Sequence, residues 1–181
     1  MTGNEKKEYL LQKGIKLSRI FCEENGLKVP EYKMLDESRR KIDGYCGLYT
    51  KNTVHVSVKR SAFMAPMAFC RQWSFPGYRI DRTPYGVVAH ETGHHVDACL
   101  GIPSRRFPKT KKQVSNYEPS KSEAFAESLK IFITNPTLLQ AGIPERYNFI
   151  IALGIKPVIT RHYTELMKGR FLEQAEKWIL K

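Results

Sequence analysis

The chain has 181 residues, 41% of them hydrophobic, which suits a single domain over residues 1–181 with one buried core. No stretch approaches the roughly 18 consecutive apolar residues of a membrane span, and the N-terminus lacks the apolar run of a signal peptide, so we expect a cytoplasmic chain with no membrane partner. The net charge of +12 favours anionic partners without identifying one, because a basic surface also serves solubility alone.

The N-terminal segment has the pattern of a helix. Apolar side chains recur at helical spacing over residues 4–25, and the pattern stops at Gly26, a residue type that commonly ends helices. Gly14, in the middle of the segment, lowers its helix propensity. We expect an amphipathic helix here despite that glycine.

The spacing of apolar residues changes to a β pattern over residues 45–58. Val54, Val56 and Val58 alternate with polar residues, as in a strand that buries one face. The segment therefore predicts a β-hairpin. His55 would point to the opposite face, into solvent or over a cleft that the sheet borders.

The most apolar stretch of the chain, residues 61–70, is followed by aromatic and turn residues at 73–78. These turn residues predict an ordered loop. We expect core packing to be the main use of the apolar side chains. The alternative is that they form one wall of an apolar substrate pocket.

Strong helix signals follow the apolar stretch. Thr83 has the character of an N-cap, and Pro84 suits the first helical position. Gly101 is a typical residue for the end of a helix. Together these signals predict a helix over residues 84–100.

The C-terminal half predicts further helices and no additional strand. A second helix begins at Ser120 and runs to residue 134, before an Asn-Pro pair. Apolar periodicity predicts a short helix at 144–153 and a last one at 161–180. A small hairpin with a mostly helical C-terminal part indicates the α+β class.

The pattern H-E-x-x-H lies on the first of the strong helices, as His90-Glu91-Thr92-Gly93-His94. Residues four apart lie above one another on a helix, so the two imidazoles can bind one zinc ion. Glu91 follows His90 and points in a different direction from the helix axis. Its carboxylate can therefore reach a water bound to the metal, but not the metal itself. Zinc lowers the pKa of such a water, and a carboxylate can take its proton during attack on a carbonyl carbon. We therefore expect Glu91 to be the general base.

A catalytic zinc ion needs a third protein ligand and one open position. Leu100 stands six residues after His94, where the metzincin pattern has a histidine, and this excludes the metzincin class. Two carboxylates four residues apart, Glu123 and Glu127, share one face of the second helix. The third ligand is therefore expected among the carboxylates.

Each candidate carboxylate has a second interpretation. Glu123 has the position of the acidic partner in a capping box with Ser120. Glu127 is either the ligand or a group that orients an imidazole through its free N–H. Asp97, three residues after the second histidine, is another orienting candidate, or else a solvated helix residue.

The motifs at residues 90–97, Tyr117 and residues 123–127 resemble the HExGHxxD, Y and ExFAE pattern of the lethal-factor-like gluzincin peptidases. The resemblance is confined to the central part of the chain and is specific in its two longer motifs. It implies a zincin-like fold and an endopeptidase acting on a protein or peptide substrate. The chain also resembles small phage-associated members of this family. This resemblance implies that the protein is located in the cytoplasm of a bacterial or phage-infected cell.

The same resemblance implies the roles of individual residues. One zinc ion per chain would be held by His90, His94 and Glu123, and the Tyr117 hydroxyl would stabilise the oxyanion. Other residues able to donate a hydrogen bond to the oxyanion are Tyr78, Tyr85, His162 and Tyr163.

The densest group of basic side chains lies between the two strong helices. It consists of Arg105, Arg106, Lys109, Lys111 and Lys112. Such a group is usually a solvated surface. In a loop beside a metal site it is also suited to contact an acidic substrate or nucleic acid.

Two further hypotheses compete with a general endopeptidase. The excess of basic over acidic residues favours a protease directed at DNA-bound proteins, although no nucleic-acid-binding motif is present. A non-catalytic zinc-binding interaction protein is the other, but such a protein has no use for a general base. The four cysteines, Cys22, Cys46, Cys70 and Cys99, form no C-x-x-C pair, which favours reduced thiols over two disulfides.

Overall fold

The computed structural model describes residues 2–35, 46–61 and 81–158, and it confirms the α+β class. Its elements are α1 (Gly3–Glu24), β1 (Glu31–Met34), β2 (Gly47–Thr50), β3 (Thr53–Val56), α2 (Pro84–Cys99), α3 (Lys121–Thr134), α4 (Pro136–Gly142) and α5 (Pro144–Ala152). A short 3-10 helix, Pro103–Arg106, lies between α2 and α3.

The described strands form a three-stranded sheet in the order β1, β3, β2. The predicted hairpin is confirmed as antiparallel β2 and β3, and its two-residue turn places Lys51 and Asn52 at φ values of 44° and 66°. Positive φ at both central residues is characteristic of the turn that matches the twist of a hairpin. β1 pairs with β3 in parallel and was not predicted, because Glu31–Met34 is short and mostly exposed.

One face of the sheet packs against α1 and α2. The buried apolar side chains of this contact are Leu11, Val54, Val56, Val87 and Val88. The alternation of valines on β3 therefore buries one face, as predicted. His55 lies on the other face, where its Nε2 is 3.1 Å from Thr50 Oγ1.

α2 is the central helix and is buried almost all round, between α1 and the sheet on one side and α3 on the other. Its predicted beginning is confirmed: Gly86 N donates to Thr83 Oγ1 at 3.1 Å, and Pro84 occupies the first turn. A Cβ on Gly14 would lie 3.0 Å from Tyr85 Cα. Gly14 therefore lets α1 approach α2 closely, which offsets its low helix propensity.

The larger core lies among α1, α2, α3, α4 and α5, and it is rich in phenylalanine. The predicted helix at 144–153 is confirmed as α5. α4 was not predicted, because Asn135 and Pro136 were interpreted as the end of a helix. In the structure Leu138 N donates to Asn135 Oδ1 at 3.2 Å, so the same two residues end α3 and begin α4.

Several predicted segments lie outside the described residues. They are the apolar stretch at 61–70 beyond Ser61, the loop at 73–78 and the last helix at 161–180. Among the helices of the described ranges, none is long and apolar enough to cross a membrane. Cys22, Cys46 and Cys99 are free thiols.

Candidate metal centre

The candidate site lies where α2 and α3 are in closest contact. A Cβ added to Gly93 would lie 2.9 Å from Ala126 Cα and 3.0 Å from its carbonyl oxygen. The glycine on α2 and the small alanine on α3 therefore allow the two backbones to meet. This contact brings the predicted ligands on α2 opposite the carboxylates of α3.

Three predicted ligands, His90, His94 and Glu123, are brought together. One ligand atom from each lies within 4.8 Å of the other two. Glu123 Oε2 is 3.1 Å from His90 Nε2 and 3.4 Å from His94 Nε2. A tetrahedral zinc site with bonds of roughly 2.0 to 2.2 Å holds its ligand atoms about 3.3 to 3.6 Å apart. The separations between Glu123 and the imidazoles are thus close to those of ligands on one ion.

Glu123 Oε2 is buried without a hydrogen-bond partner among the described residues. The nearest nitrogens are His90 Nε2 and His94 Nε2, at 3.1 and 3.4 Å. A buried carboxylate oxygen left without a partner costs free energy unless something else satisfies it. The donor atoms therefore converge on a common point instead of bonding to one another, as metal ligands do.

The other ring nitrogens have partners that orient the two imidazoles. His90 Nδ1 lies 2.7 Å from Glu127 Oε1, and His94 Nδ1 lies 3.4 Å from Ser122 Oγ. Since each Nδ1 is engaged, each Nε2 is left to face the common point. Ser122 was not predicted, because a serine in the first turn of a helix carries no distinctive signal.

Glu123 does not form the complete capping box that was considered. Its backbone N–H donates to Ser120 Oγ at 3.2 Å, so Ser120 is the N-cap of α3. Its side chain, however, turns toward the two imidazoles. Glu127 lies one turn further along and contacts only one of them, His90. The geometry thus separates a ligand position from an orienting position.

The protonation of the metal-free site follows from these contacts. Burial alone would lower the pKa of His90, but the carboxylates of Glu123 and Glu127 outweigh it and raise the pKa to about 9. Burial opposes the charged form of Glu123, yet the imidazoles of His90 and His94 lower its pKa to about 2. A cation that binds here must therefore displace a proton from His90.

Glu91 faces the cavity but is not one of the three convergent ligands. Burial raises its pKa, although the neighbouring imidazoles of His90 and His94 act in the opposite direction. A Cβ on Gly47 would lie 2.7 Å from Glu91 Oε1 and 2.5 Å from Val87 Cγ1. A larger residue at this position of β2 would force the side chains of Val87 and Glu91 to shift, so Gly47 lets the strand lie close to the Glu91 carboxylate.

The site opens into a cavity of about 710 Å³ between β2, α2 and the beginning of α3. Leu48, Ile102 and Tyr117 give it apolar walls, and Arg82 adds a positive charge. The Tyr117 ring centroid is 6.1 Å from that of His90, and 37% of this tyrosine is exposed. Tyr117 is therefore within the cavity, beside His90.

The segment that carries Tyr117 is held in place by a buried ion pair. Arg146 of α5 donates to the two carboxylate oxygens of Glu118 at 3.0 and 2.8 Å. Glu118 Oε1 also accepts a hydrogen bond from Val114 N at 2.6 Å. This pair was not predicted from the sequence. It fixes the backbone next to Tyr117 from a helix that does not itself line the cavity.

Asp97 lines the cavity, but its described bonds lead away from the imidazoles. Its two carboxylate oxygens accept from Ser104 N at 2.9 Å and Ser104 Oγ at 2.7 Å. The imidazole partners are instead Glu127 and Ser122. Asp97 is thus placed to hold the short 3-10 helix against α2.

The alternative oxyanion donors are not placed beside the metal ligands by the described residues. Tyr85 is buried in the larger core, with 3% of its surface exposed. Tyr78, His162 and Tyr163 lie outside the described residues. Tyr117 is therefore the candidate that the described cavity contains.

The basic group between α2 and α3 lies close to this cavity in the chain. Arg105, Arg106, Lys109, Lys111 and Lys112 are all exposed. Lys121, next to the cavity-lining Ser122, donates to Arg105 O at 2.9 Å and so joins the group to the beginning of α3. Residues 98–117 contain no aspartate or glutamate.

No protein-family model, curated protein or solved structure matches this chain.

Proposed function

We propose that this protein is a zinc-dependent metallopeptidase of zincin-like fold. The observation that carries the proposal is the convergence of three ligand atoms on a common point, next to a buried carboxylate that is not a ligand. Two histidines and a glutamate are a ligand set that zinc enzymes use, with the remaining position left open. The proposed ligands are His90, His94 and Glu123.

The residues present fit a zinc ion. The donor set is chemically suitable, Glu123 Oε2 is buried without a hydrogen bond, and each imidazole has an orienting partner on its other nitrogen. When bound, zinc would supply Lewis acidity for the polarisation of a carbonyl group and the activation of water. All of these features depend on side chains of α2 and α3.

Glu91 is the proposed general base. Its raised pKa suits a carboxylate that accepts a proton from the attacking water and then delivers it to the leaving amine. The backbone of β2 lies close to this carboxylate at Gly47. Tyr117 is the proposed donor to the developing oxyanion, because it lies in the cavity beside His90.

The shape of the site favours an extended peptide as substrate. β2 is an edge strand among the described strands, and Gly47, Leu48 and Tyr49 all line the cavity. A peptide in an extended conformation can pair with such an edge through its main chain, while its side chains enter the neighbouring pockets. This arrangement would place a peptide carbonyl near Glu91.

The basic group further favours an acidic substrate. Between the end of α2 and Tyr117 every charged side chain is positive, whereas α1 carries both signs. Exposed charges of one sign beside a cleft attract a complementary ligand. We propose that acidic residues flanking the scissile bond contact this segment. A substrate bound to DNA is the alternative, in which nucleic acid occupies the same surface.

The proposed function can be tested with zinc-loaded protein and the Glu91→Gln variant on a complex peptide mixture, with cleavage followed by mass spectrometry. Glu91→Gln should retain zinc and fold, yet lose at least about a hundredfold in turnover, because an amide cannot accept the proton. Equal cleavage by both proteins would show that Glu91 is not the base. Zinc binding without turnover of any peptide would favour the non-catalytic interaction protein.

Adding DNA to the same assays separates the two protease hypotheses. Retention on DNA at physiological salt, with cleavage only of DNA-bound proteins, would favour the alternative. Release as the salt concentration rises is the result expected for a surface that is merely basic.

A further inference from the structure

Lys130 of α3 is a buried lysine in contact with the metal centre. Its side chain is 2% exposed, and Nζ donates to both carboxylate oxygens of Glu127 at 2.8 Å. Glu127 is 1% exposed and is bonded through Oε1 to His90 Nδ1 at 2.7 Å. A continuous series of buried contacts therefore leads from Lys130 through Glu127 to His90, a proposed zinc ligand.

A lysine in this position needs an explanation beyond packing. Lysine is almost never fully buried without a paired charge, and a buried ion pair often stabilises a fold no better than apolar side chains of similar volume. Leu129, Ile131 and Phe132, its neighbours on α3, are all buried apolar residues. An apolar residue would therefore suit residue 130 if filling space were its only role.

The contacts of Lys130 indicate a role in fixing the position of the Glu127 carboxylate. Glu127 can orient His90 only if its carboxylate stays in one position and accepts a hydrogen bond from Nδ1–H. Lys130 Nζ donates a hydrogen bond to each oxygen of that carboxylate, and these two bonds fix the rotation of the carboxylate. Lys130 also supplies the positive charge that a buried carboxylate requires. His90 Nε2 is then directed at the common point shared with His94 and Glu123.

We propose that Lys130 is a positioning residue for the metal centre, acting through Glu127 to hold His90 in the orientation that presents Nε2 to the ion. This role rests on the proposed zinc site. It predicts that the charges of Lys130 and Glu127 matter as a pair. Lys130 without Glu127 is a buried charge without a counter-charge, and Glu127 without Lys130 keeps only His90 as a partner, whereas an apolar residue facing an amide is neutral.

The test is a double-mutant cycle with Lys130→Met, Glu127→Gln and the combined variant. Zinc affinity is measured by competition with a chromophoric chelator, and the thermal stability of each metal-free protein is followed in parallel. Lys130→Met should lower zinc affinity by about 10- to 100-fold, the usual effect of losing a group that orients a ligand. Lys16→Met, at an exposed lysine of α1 that does not line the cavity, is the control and should bind zinc like wild type.

The combined variant distinguishes positioning from a general loss of stability. A glutamine at residue 127 can still accept a hydrogen bond from His90 Nδ1–H through its amide oxygen, and it needs no counter-charge. The combined variant should therefore bind zinc at least about tenfold more tightly than Lys130→Met alone. If Lys130→Met proves too unstable to purify, the combined variant is compared with Glu127→Gln, and it should bind zinc more tightly, because Glu127→Gln alone leaves Lys130 buried without a counter-charge.

Two results would overturn the role of Lys130. One is wild-type zinc affinity in Lys130→Met, and the other is a combined variant that binds zinc no better than the weaker of the two single variants. Either result, with normal zinc uptake by wild type, overturns the positioning role and leaves the metal centre intact. If wild type itself takes up no zinc, the metal centre and this role are both overturned.

Discussion

Two buried clusters of charged residues contact α3, and they differ in how their polar atoms are satisfied. In the first, Arg146 donates to both oxygens of Glu118 and also to Thr110 Oγ1 at 2.9 Å and Ser128 Oγ at 3.1 Å. In the second, Glu123 Oε2 lies near two imidazoles and has no hydrogen-bond partner among the described residues. The first cluster is closed within itself, whereas the second leaves its ligand atoms directed at a shared point.

The difference shows why burial and charge alone do not identify a functional site. A planar guanidinium matches a carboxylate with two parallel hydrogen bonds, so a cluster like that of Arg146 is complete as an ion pair. Imidazoles and a carboxylate that converge on one point attract one another through their charges, and they can in addition bind a cation. The two clusters should therefore respond in opposite ways to substitution and to zinc.

The largest effect on stability is expected at the closed cluster. Arg146→Met leaves Glu118 buried without its partner, and breaking such a pair costs about 3 to 5 kcal/mol in the free energy of unfolding. Zinc content per folded chain should stay unchanged, since Arg146 contacts none of the proposed ligands. Denaturant unfolding and metal analysis measure the two effects. A loss of zinc without a loss of stability would reverse the assignment of the two clusters.

The open cluster should show the opposite behaviour. Glu123→Ala is expected to lower zinc affinity by more than about a hundredfold, and Glu127→Ala by about 10- to 100-fold as the loss of an orienting partner. Metal-free Glu123→Ala should lose less stability than Arg146→Met, because the substitution removes a partner of the charged His90 but also an unsatisfied buried oxygen. Paired zinc titrations rank the two variants. A stronger effect of Glu127→Ala would identify Glu127 as the ligand.

The pH dependence sharpens the comparison further. In the metal-free folded protein the pKa of His90 is raised to about 9, whereas in the unfolded chain it is near 6.5. As pH rises, the unfolded chain therefore loses this proton at a lower pH than the folded protein does. The stability from this charge is complete below about 6.5 and disappears as pH rises through about 9. Zinc competes with the same proton, so its affinity should rise about tenfold per pH unit between pH 6.5 and 8.5. A flat affinity profile would contradict a protonated His90.

Much of the candidate site was predictable from local pattern. Thr83 and Pro84 indicated where α2 begins, and the spacing of four residues placed His90 and His94 on one face. The roles of Glu123 and Glu127 stayed open, because both lie on one face of α3. Which of the two is the ligand depends on where along α3 the contact with α2 lies, and this is a property of tertiary packing.

The features that were missed depend on contacts between distant parts of the chain. Lys130 and Arg146 are residue types that sequence reasoning assigns to the surface. Arg146 is buried because it pairs with Glu118, 28 residues earlier, and Lys130 pairs with Glu127 of its own helix where α3 packs against α2. Glu31–Met34 becomes a strand through parallel pairing with a segment far along the chain. Gly14 was interpreted as a weak point of α1, whereas it is a contact point with α2.

The smallest effect is expected at the exposed basic segment. Replacing Arg105 and Arg106 with glutamine should lower kcat/KM for acidic peptides by about two- to fivefold at low salt, since exposed charge pairs contribute little. The effect should fade at high salt. Lys16→Gln with Lys156→Gln, two exposed cations elsewhere, is the control. An equal loss in the control would assign the effect to net charge and not to this segment.

The central claim is that His90, His94 and Glu123 hold one metal ion. The most direct measurement is the zinc content of purified wild-type protein and of His94→Ala, both prepared without chelators and then supplied with zinc before removal of the excess. The geometry predicts about one zinc ion per chain in wild type and none in His94→Ala. Folded wild-type protein that takes up no zinc would contradict the claim.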